Sequence, residues 1–439
     1  MFETINPATG KVLSTYQYHS QESAEALILS LQSVYLKYSH QNLAVRQVIL
    51  KQIAEKMTLM SDQIAMQIHL EMGKPKAEAL AEIKKSIQAI EYFANLKKKL
   101  LEPEVLDGPY GKTLLVKKPM GIILSIMPWN FPVWQVVRQA VSQLYLGNVV
   151  LLKHSEITAG TAKLIEEAFT INNESVLKNI FLSHEQVALV LSHPFIKGVA
   201  FTGSTKAGRE VAATAGRNLK KVILELGGSD PYIVLKDCDL NKAAEICFLS
   251  RIANSGQVCI SSKRWLVDEQ ILPEFINKVC ELAQGIKVAP LAHSKFLNQT
   301  KTQVDAFLQS GAKLIYQSAQ DDFGVYPFSV LQCDRSHPML FSEEIFAPVG
   351  VIVSFKSEDE AIEIANNSAY GLGAGLFSKD VLRAQVLAGR IEAGTVAINS
   401  FVKTHPAIPF GGCKNSGFGV ELGYQGIFEF CHFQVVGES

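Results

Sequence analysis

From residue 121 onward, short continuous apolar runs alternate with segments in which apolar residues recur every three or four positions. This is the pattern of buried parallel strands joined by helices. A first block predicts strands over 121–126, 148–152, 179–182, 198–201 and 222–224, with helices over 133–145, 158–169, 185–191 and 205–215. A second block predicts strands over 231–235, 264–267, 349–355 and 395–399, with helices over 240–253 and 358–367. Ahead of both, residues 20–100 read as helical, with Gly73-Lys74-Pro75 as a breaker between two periodic runs. Between the helical region and the first strand, Asp107-Gly108-Pro109 and the apolar run 113–116 read as a hairpin or arm.

Strands covered by helices on both faces make an α/β fold of nucleotide-binding type, although a fold alone does not give a function. The 439 residues are too many for one core, so two or more domains are expected. Hydrophobic residues make up 48% and the formal net charge is zero, which excludes disorder as the main state. The same balance gives no reason to expect nucleic acid or an anionic membrane as partner. Pro128, Asn130 and Pro132 interrupt the richest apolar stretch, which is therefore not a membrane span. The seven cysteines are scattered, with no CxxC pair and no metal-ligand spacing, so no metal is expected. A reducing cytoplasm fits them, and the N-terminus lacks the pattern of a secretory signal.

Six stretches carry candidate chemistry, and each has a plain reading beside the functional one. Cys259, in Gly256-Gln257-Val258-Cys259, lies between a helix and a strand, as a nucleophile or an ordinary loop cysteine would. Glu225 ends an apolar strand and is followed by Gly227-Gly228. Burial there would raise its pKa into the working range of a general base, and a hinge salt bridge is the alternative. Asn130, within Pro128-Trp129-Asn130-Phe131-Pro132, could donate to an oxyanion or merely hold a turn. Phe201-Thr202-Gly203-Ser204 ends a strand and opens a helix, which suits a pyrophosphate or a simple cap. Lys153-His154-Ser155-Glu156 and Ser342-Glu343-Glu344-Ile345-Phe346 could bind ribose hydroxyls or serve as helix ends.

Together and in this order, PWNFP, FTGS, LELGG, GQVC and EEIFxP resemble the aldehyde dehydrogenase superfamily over nearly the whole chain. Within it, the run 224–231 is similar to that of bacterial succinate-semialdehyde dehydrogenases. The resemblance implies a Rossmann-like cofactor domain (1–100 and 121–226), an α/β catalytic domain (227–412) and a small β oligomerisation arm (101–120 and 426–439). It implies Cys259 as nucleophile, Glu225 as general base, and Asn130 with the Cys259 backbone N–H as oxyanion donors. NAD, or NADP, would be bound by Trp129, Lys153, Glu156, Gly203, Ser204, Glu344 and Phe346, with Glu156 favouring NAD by repelling a 2′-phosphate. A small aldehyde is the implied substrate, and a homodimer or homotetramer the implied assembly.

Arg138 follows Asn130 by about two helical turns, so both can face one site. In the succinate-semialdehyde enzymes an arginine at this position binds the distal carboxylate, and an interface salt bridge is the plain alternative. Several positions depart from the family. A second substrate arginine of some relatives is Ala253 here, His154 replaces a proline, Ala347 a glycine, and Val420 an arginine. Segment 286–300 is shorter than its counterpart and is expected on the surface, where stability or assembly would feel it more than chemistry. The implied activity is NAD(P)-dependent oxidation of succinate semialdehyde. A broader aliphatic or ω-carboxylated aldehyde oxidiser, or a non-catalytic binding relative, are the alternatives.

Overall fold

Strand Ile122–Met127, buried along its whole length, lies near the middle of a six-stranded sheet in the computed structural model, which describes residues 1–438. Val149–His154 and Ile196–Thr202 flank it in parallel, and Leu177–Asn179 and Lys221–Glu225 extend the sheet in the same sense. The short strand Gly417–Phe418 closes one edge, antiparallel to Lys221–Glu225. Strands this apolar are stable only under cover on both faces. Cover comes from four N-terminal helices, α1 (Gln21–His40), α2 (Leu43–Leu59), α3 (Ser61–Met72) and α4 (Lys76–Ala94), and four crossover helices. The latter are α5 (Trp134–Leu146), α6 (Ala159–Ala168), α7 (His184–Ser192) and α8 (Thr205–Arg217). Every residue of α5 is buried, because it is packed by the sheet on one side and by α2 and α4 on the other.

A second sheet has seven strands, with Pro231–Val234, Arg264–Asp268 and Val349–Phe355 at its centre. It is parallel except at the edge strand Lys313–Gln317. Helix α9 (Leu240–Ile252) connects two of the central strands and ends at the loop that carries Cys259. A three-stranded antiparallel ribbon stands apart from both sheets. In it Cys431–Glu438 pairs with Lys112–Pro119, which in turn pairs with Glu104–Leu106. Among the described residues, no helix is long and apolar enough to cross a membrane.

Two elements differ from the sequence expectation. The helical region contains four helices, and Gly73, at φ 77°, ends α3 ahead of α4. The strand expected over 179–182 is formed by Leu177–Asn179 instead. A hairpin of Phe2–Ile5 with Val12–Tyr16 accounts for this shift. Phe181 leaves the sheet to pack edge-on against Phe2 and Tyr16, and its backbone carbonyl accepts from His19 N–H at 2.9 Å.

Candidate active site

The loop between α9 and strand Arg264–Asp268 places three successive residues in the left-handed region: Asn254 (φ 48°), Ser255 (φ 52°) and Gly256 (φ 72°). Two of them carry side chains, so the conformation is strained and must be held by its surroundings. Arg251, wholly buried, donates to the carbonyls of Gly256 (2.8 Å), Ile345 (3.1 Å) and Ala347. Asn254 Nδ2 donates to Asn130 O at 2.8 Å, and Ser255 Oγ to Ala289 O at 2.8 Å. A side chain at Gly256 would run into the Ala347 backbone, so glycine is required there. Cys259 follows on a short turn, and Lys263 Nζ holds the carbonyls of Val258 (3.0 Å) and Cys259 (2.5 Å).

The chain leaving Glu225 reaches this loop from the other sheet through two glycines. A Cβ on Gly228 would lie 2.8 Å from the Cys259 carbonyl oxygen, and one on Gly227 would strike Glu344. Glu225 is buried, and neither carboxylate oxygen finds a hydrogen-bond partner in the chain. Burial pushes its pKa well above the usual carboxylate range; Arg138 opposes that rise and Glu421 adds to it. The Cys259 thiol is likewise pushed up to about 11 by burial, against the pull of Arg138 and Lys263. Arg138 donates from Nε to Glu421 in a wholly buried pair and lies 4.7 Å from the Phe410 ring centre. Its burial favours the neutral form, but Glu421, Glu225 and Cys259 outweigh that and keep it charged. Arg138 Nη2 has no partner within the chain. Thus the salt bridge expected as an alternative for Arg138 forms, and one face of the guanidinium stays available.

Asn130 Nδ2 donates to Gln257 O at 2.9 Å, and an amide nitrogen has a second hydrogen to offer. The turn around it is pinned from below by buried His154. Because the Pro132 carbonyl, 2.9 Å from Nε2, can only accept, Nε2 carries the hydrogen and Nδ1 accepts from Thr158 Oγ1 at 2.9 Å. Burial holds this imidazole neutral, with a pKa down to about 4. The histidine that departs from the family thus ties the first sheet to the turn around Asn130.

A cavity of about 750 Å³ opens where the first sheet's strands end, lined by Trp129, Lys153, Ser155, Gly203, Ser204 and Lys206 among others. Ser204 caps α8, whose N–H groups and positive end face the opening. Glu156 differs from its expected role: it does not line this cavity. Tyr18 Oη donates to Glu156 Oε1 at 2.8 Å, and the carboxylate is held toward the N-terminal hairpin. Glu344 and Phe346 lie by the nucleophile loop, with Glu344 paired to Lys263 at 3.1 Å and accepting from Gly228 N–H at 3.1 Å. Phe346 meets Trp129 edge-on at 6.0 Å.

Segment 286–300 is not merely surface. Ala292 N–H donates to Gln257 Oε1 at 2.9 Å, Ala289 accepts from Ser255, and Phe296 stacks on Trp129 at 4.7 Å. The shortened segment supports the Cys259 loop directly, so it is not confined to the surface. Sequence reading also passed over Lys263, Glu421, Tyr18 and Lys85. Of these only Glu421 carried a signal, as the acidic residue after Val420 in the GxGRE-like run.

The model of the aldehyde dehydrogenase family matches residues 1–436. The chain belongs to the aldehyde dehydrogenase family. A succinate-semialdehyde dehydrogenase [NADP(+)] from Deinococcus radiodurans is 35% identical, over 99% of this chain and 94% of that one. A succinate semialdehyde dehydrogenase [NAD(P)+] of Escherichia coli is 34% identical, over 99% and 97%. The solved succinic semialdehyde dehydrogenase from Streptococcus pyogenes, in complex with NADP+, superposes with a TM-score of 0.94 at 32% identity, covering 99% of both chains. An aldehyde dehydrogenase of this family uses NAD(P), and the residues here fit one. The large cavity ends on a capped helix start, carries Lys153, Lys206 and Arg217 on its walls, and reaches Trp129 beside the Cys259 loop.

Proposed function

We propose that the protein oxidises succinate semialdehyde to succinate with NAD(P)+, through a covalent adduct on Cys259. The observation that carries this reading is the convergence of half-buried Cys259 and buried Glu225 on Arg138, with Glu225 and Arg138 Nη2 keeping free hydrogen-bonding capacity. Glu225 takes the thiol proton as sulfur attacks the aldehyde carbon, so the costly buried thiolate need not persist. The second N–H of Asn130 and the Cys259 backbone N–H stabilise the oxyanion that forms. NAD(P)+, held along the cavity by Trp129, Lys153 and Ser204, would supply the hydride acceptor that lets the Cys259 adduct become a thioester. After Glu225 has passed the thiol proton to solvent, it takes a proton from the attacking water and returns it to the departing sulfur, releasing the acid and the free thiol. Lys263 and Arg251 keep the sulfur in place through the loop's carbonyls. Trp129, Lys153, Gly203, Ser204, Glu344 and Phe346 are the proposed cofactor residues, and Glu156 is their neighbour held aside by Tyr18.

Arg138 supplies a charge for the distal carboxylate, supported by its unpartnered Nη2 and by the names of the relatives. Purified protein should reduce NAD+ or NADP+ with succinate semialdehyde, and Cys259→Ala should abolish the absorbance change. Full turnover in that variant would exclude the mechanism. Arg138→Leu should reduce kcat/KM for succinate semialdehyde far more than for butyraldehyde; equal losses would point to a broad aldehyde oxidiser. We further infer a homo-oligomer formed through the antiparallel ribbon, where Val105, Phe433, Val435 and Val436 are exposed. A sedimentation profile of a monomer at micromolar concentration would refute that. Seven free cysteines and the lack of a disulfide suit a cytoplasmic setting.

A further inference from the structure

Arg138 is not the only cation whose charge is felt near Cys259. Lys85, mid-way along α4 and half-buried, lies with its Nζ 4.1 Å from the centre of the Trp134 ring. It donates to Thr404 Oγ1 at 2.5 Å. Trp134 and Arg138 are one turn apart on α5 and share a face, and Arg138 rests on Phe410 of the same C-terminal segment that carries Thr404. The crossing of α4 and α5 is fixed at this point: Glu82, one turn before Lys85, accepts from the Val133 and Trp134 N–H groups at 2.8 and 3.0 Å. Lys85, Trp134, Arg138, Phe410 and Thr404 therefore ring one spot. Burial first, then the charge of Arg138, pulls the Lys85 ammonium down to about 8, while Glu82 and Cys259 pull it up. Among the described residues Lys85 forms no salt bridge, and Arg138 has a free Nη2. Two cations brought together without a full set of carboxylates are a receptor for an anion.

We propose that Lys85 is a substrate-binding residue, which together with Arg138 holds the distal carboxylate of the aldehyde. It enters from α4, whereas position 253, where some relatives carry a substrate arginine, is alanine. The proposal rests on the functional reading above and extends it to the residue that sets chain-end specificity.

The test compares wild type, Lys85→Met, Lys85→Gln and Lys85→Arg with succinate semialdehyde and the uncharged butyraldehyde. Loss of one charge-assisted contact should lower the ratio of the two kcat/KM values about tenfold to a hundredfold in the Met and Gln variants. The Arg variant should keep most of the ratio. Succinate, as an unreactive dicarboxylate, should inhibit butyraldehyde oxidation with a constant raised by a similar factor in Lys85→Met. A wild-type ratio and a wild-type succinate constant in the neutral variants would overturn the proposal alone. A wild-type enzyme that does not prefer succinate semialdehyde to butyraldehyde would instead overturn the functional reading, and the proposal with it.

Discussion

Two buried charge clusters lie within one helix packing of each other, and they are finished differently. Lys74 and Glu82 pair with both side chains 1% exposed. Lys74 also donates to Asn130 O at 2.8 Å and sits 4.0 Å from the Phe131 ring centre, and Glu82 accepts two N–H groups at the start of α5. In the second cluster, Glu225, Arg138 and Glu421 are equally buried, yet Glu225 Oε1 and Oε2, Arg138 Nη2 and Glu421 Oε1 lack partners. A fully satisfied buried pair holds geometry, whereas an unsatisfied one costs free energy that only a ligand or a reaction can use. The first cluster positions the turn around Asn130, and the second is where the proposed reaction would place substrate and proton.

The largest expected effect falls on the unsatisfied cluster. Glu225→Gln should lower kcat for aldehyde oxidation by about 10²–10⁴, the usual contribution of a general base. A smaller loss, with thioester hydrolysis intact in single-turnover measurements, would remove Glu225 from that role. On the satisfied side, Glu82→Gln leaves Lys74 charged and buried, and should cost about 3–5 kcal/mol of stability in urea unfolding. If that variant unfolds like wild type, the contrast between the clusters collapses.

The same Glu225→Gln substitution should stabilise the protein, and increasingly so with pH. The folded carboxyl has a raised pKa, so the folded protein retains a proton that the unfolded chain has lost. Stability attributable to the neutral carboxyl is complete below the unfolded carboxylate range and is lost as pH rises through the folded value. The Tm difference between variant and wild type should therefore widen as pH rises above the unfolded carboxylate range, and a constant difference would contradict the burial account.

Tyr18 and Glu156 give the smallest test. Here a carboxylate beside the cofactor cavity is satisfied by a phenol. Tyr18→Phe frees Glu156 to turn toward the cavity, which should raise KM for NADP+ relative to NAD+ by about threefold to tenfold, one lost hydrogen bond's worth. An unchanged ratio would mean that Glu156 does not bear on cofactor choice.

Where side-chain chemistry follows the local pattern, the sequence was readable. Continuous apolar strands such as Ile122–Met127 can only sit inside a covered sheet, and Glu225 before Gly227-Gly228 is legible as a buried acid at a close approach. Strand Leu177–Asn179 was misplaced because Phe181 looks like a core strand residue until the hairpin at residues 2–16 provides another place for it. Lys85 looks like any polar helix position. Only the packing of α4 on α5 puts its ammonium over Trp134. Tyr18 and Glu156 are too far apart in the chain for any local pattern to join them, and Arg138 and Glu421 likewise.

The pocket is also completed late in the chain. Phe410 underlies Arg138, Gly417–Phe418 edges the strand that ends at Glu225, and Glu421 holds the guanidinium, all just before the terminal ribbon strand Cys431–Glu438. During synthesis from the N-terminus, Cys259 therefore leaves the ribosome before the groups that enclose and tune it. An unfinished chain carries the sulfur but not its chemistry. In a coupled translation assay, the onset of aldehyde turnover should follow release of the finished chain rather than emergence of Cys259, and turnover by chains arrested before residue 410 would show the enclosure to be dispensable.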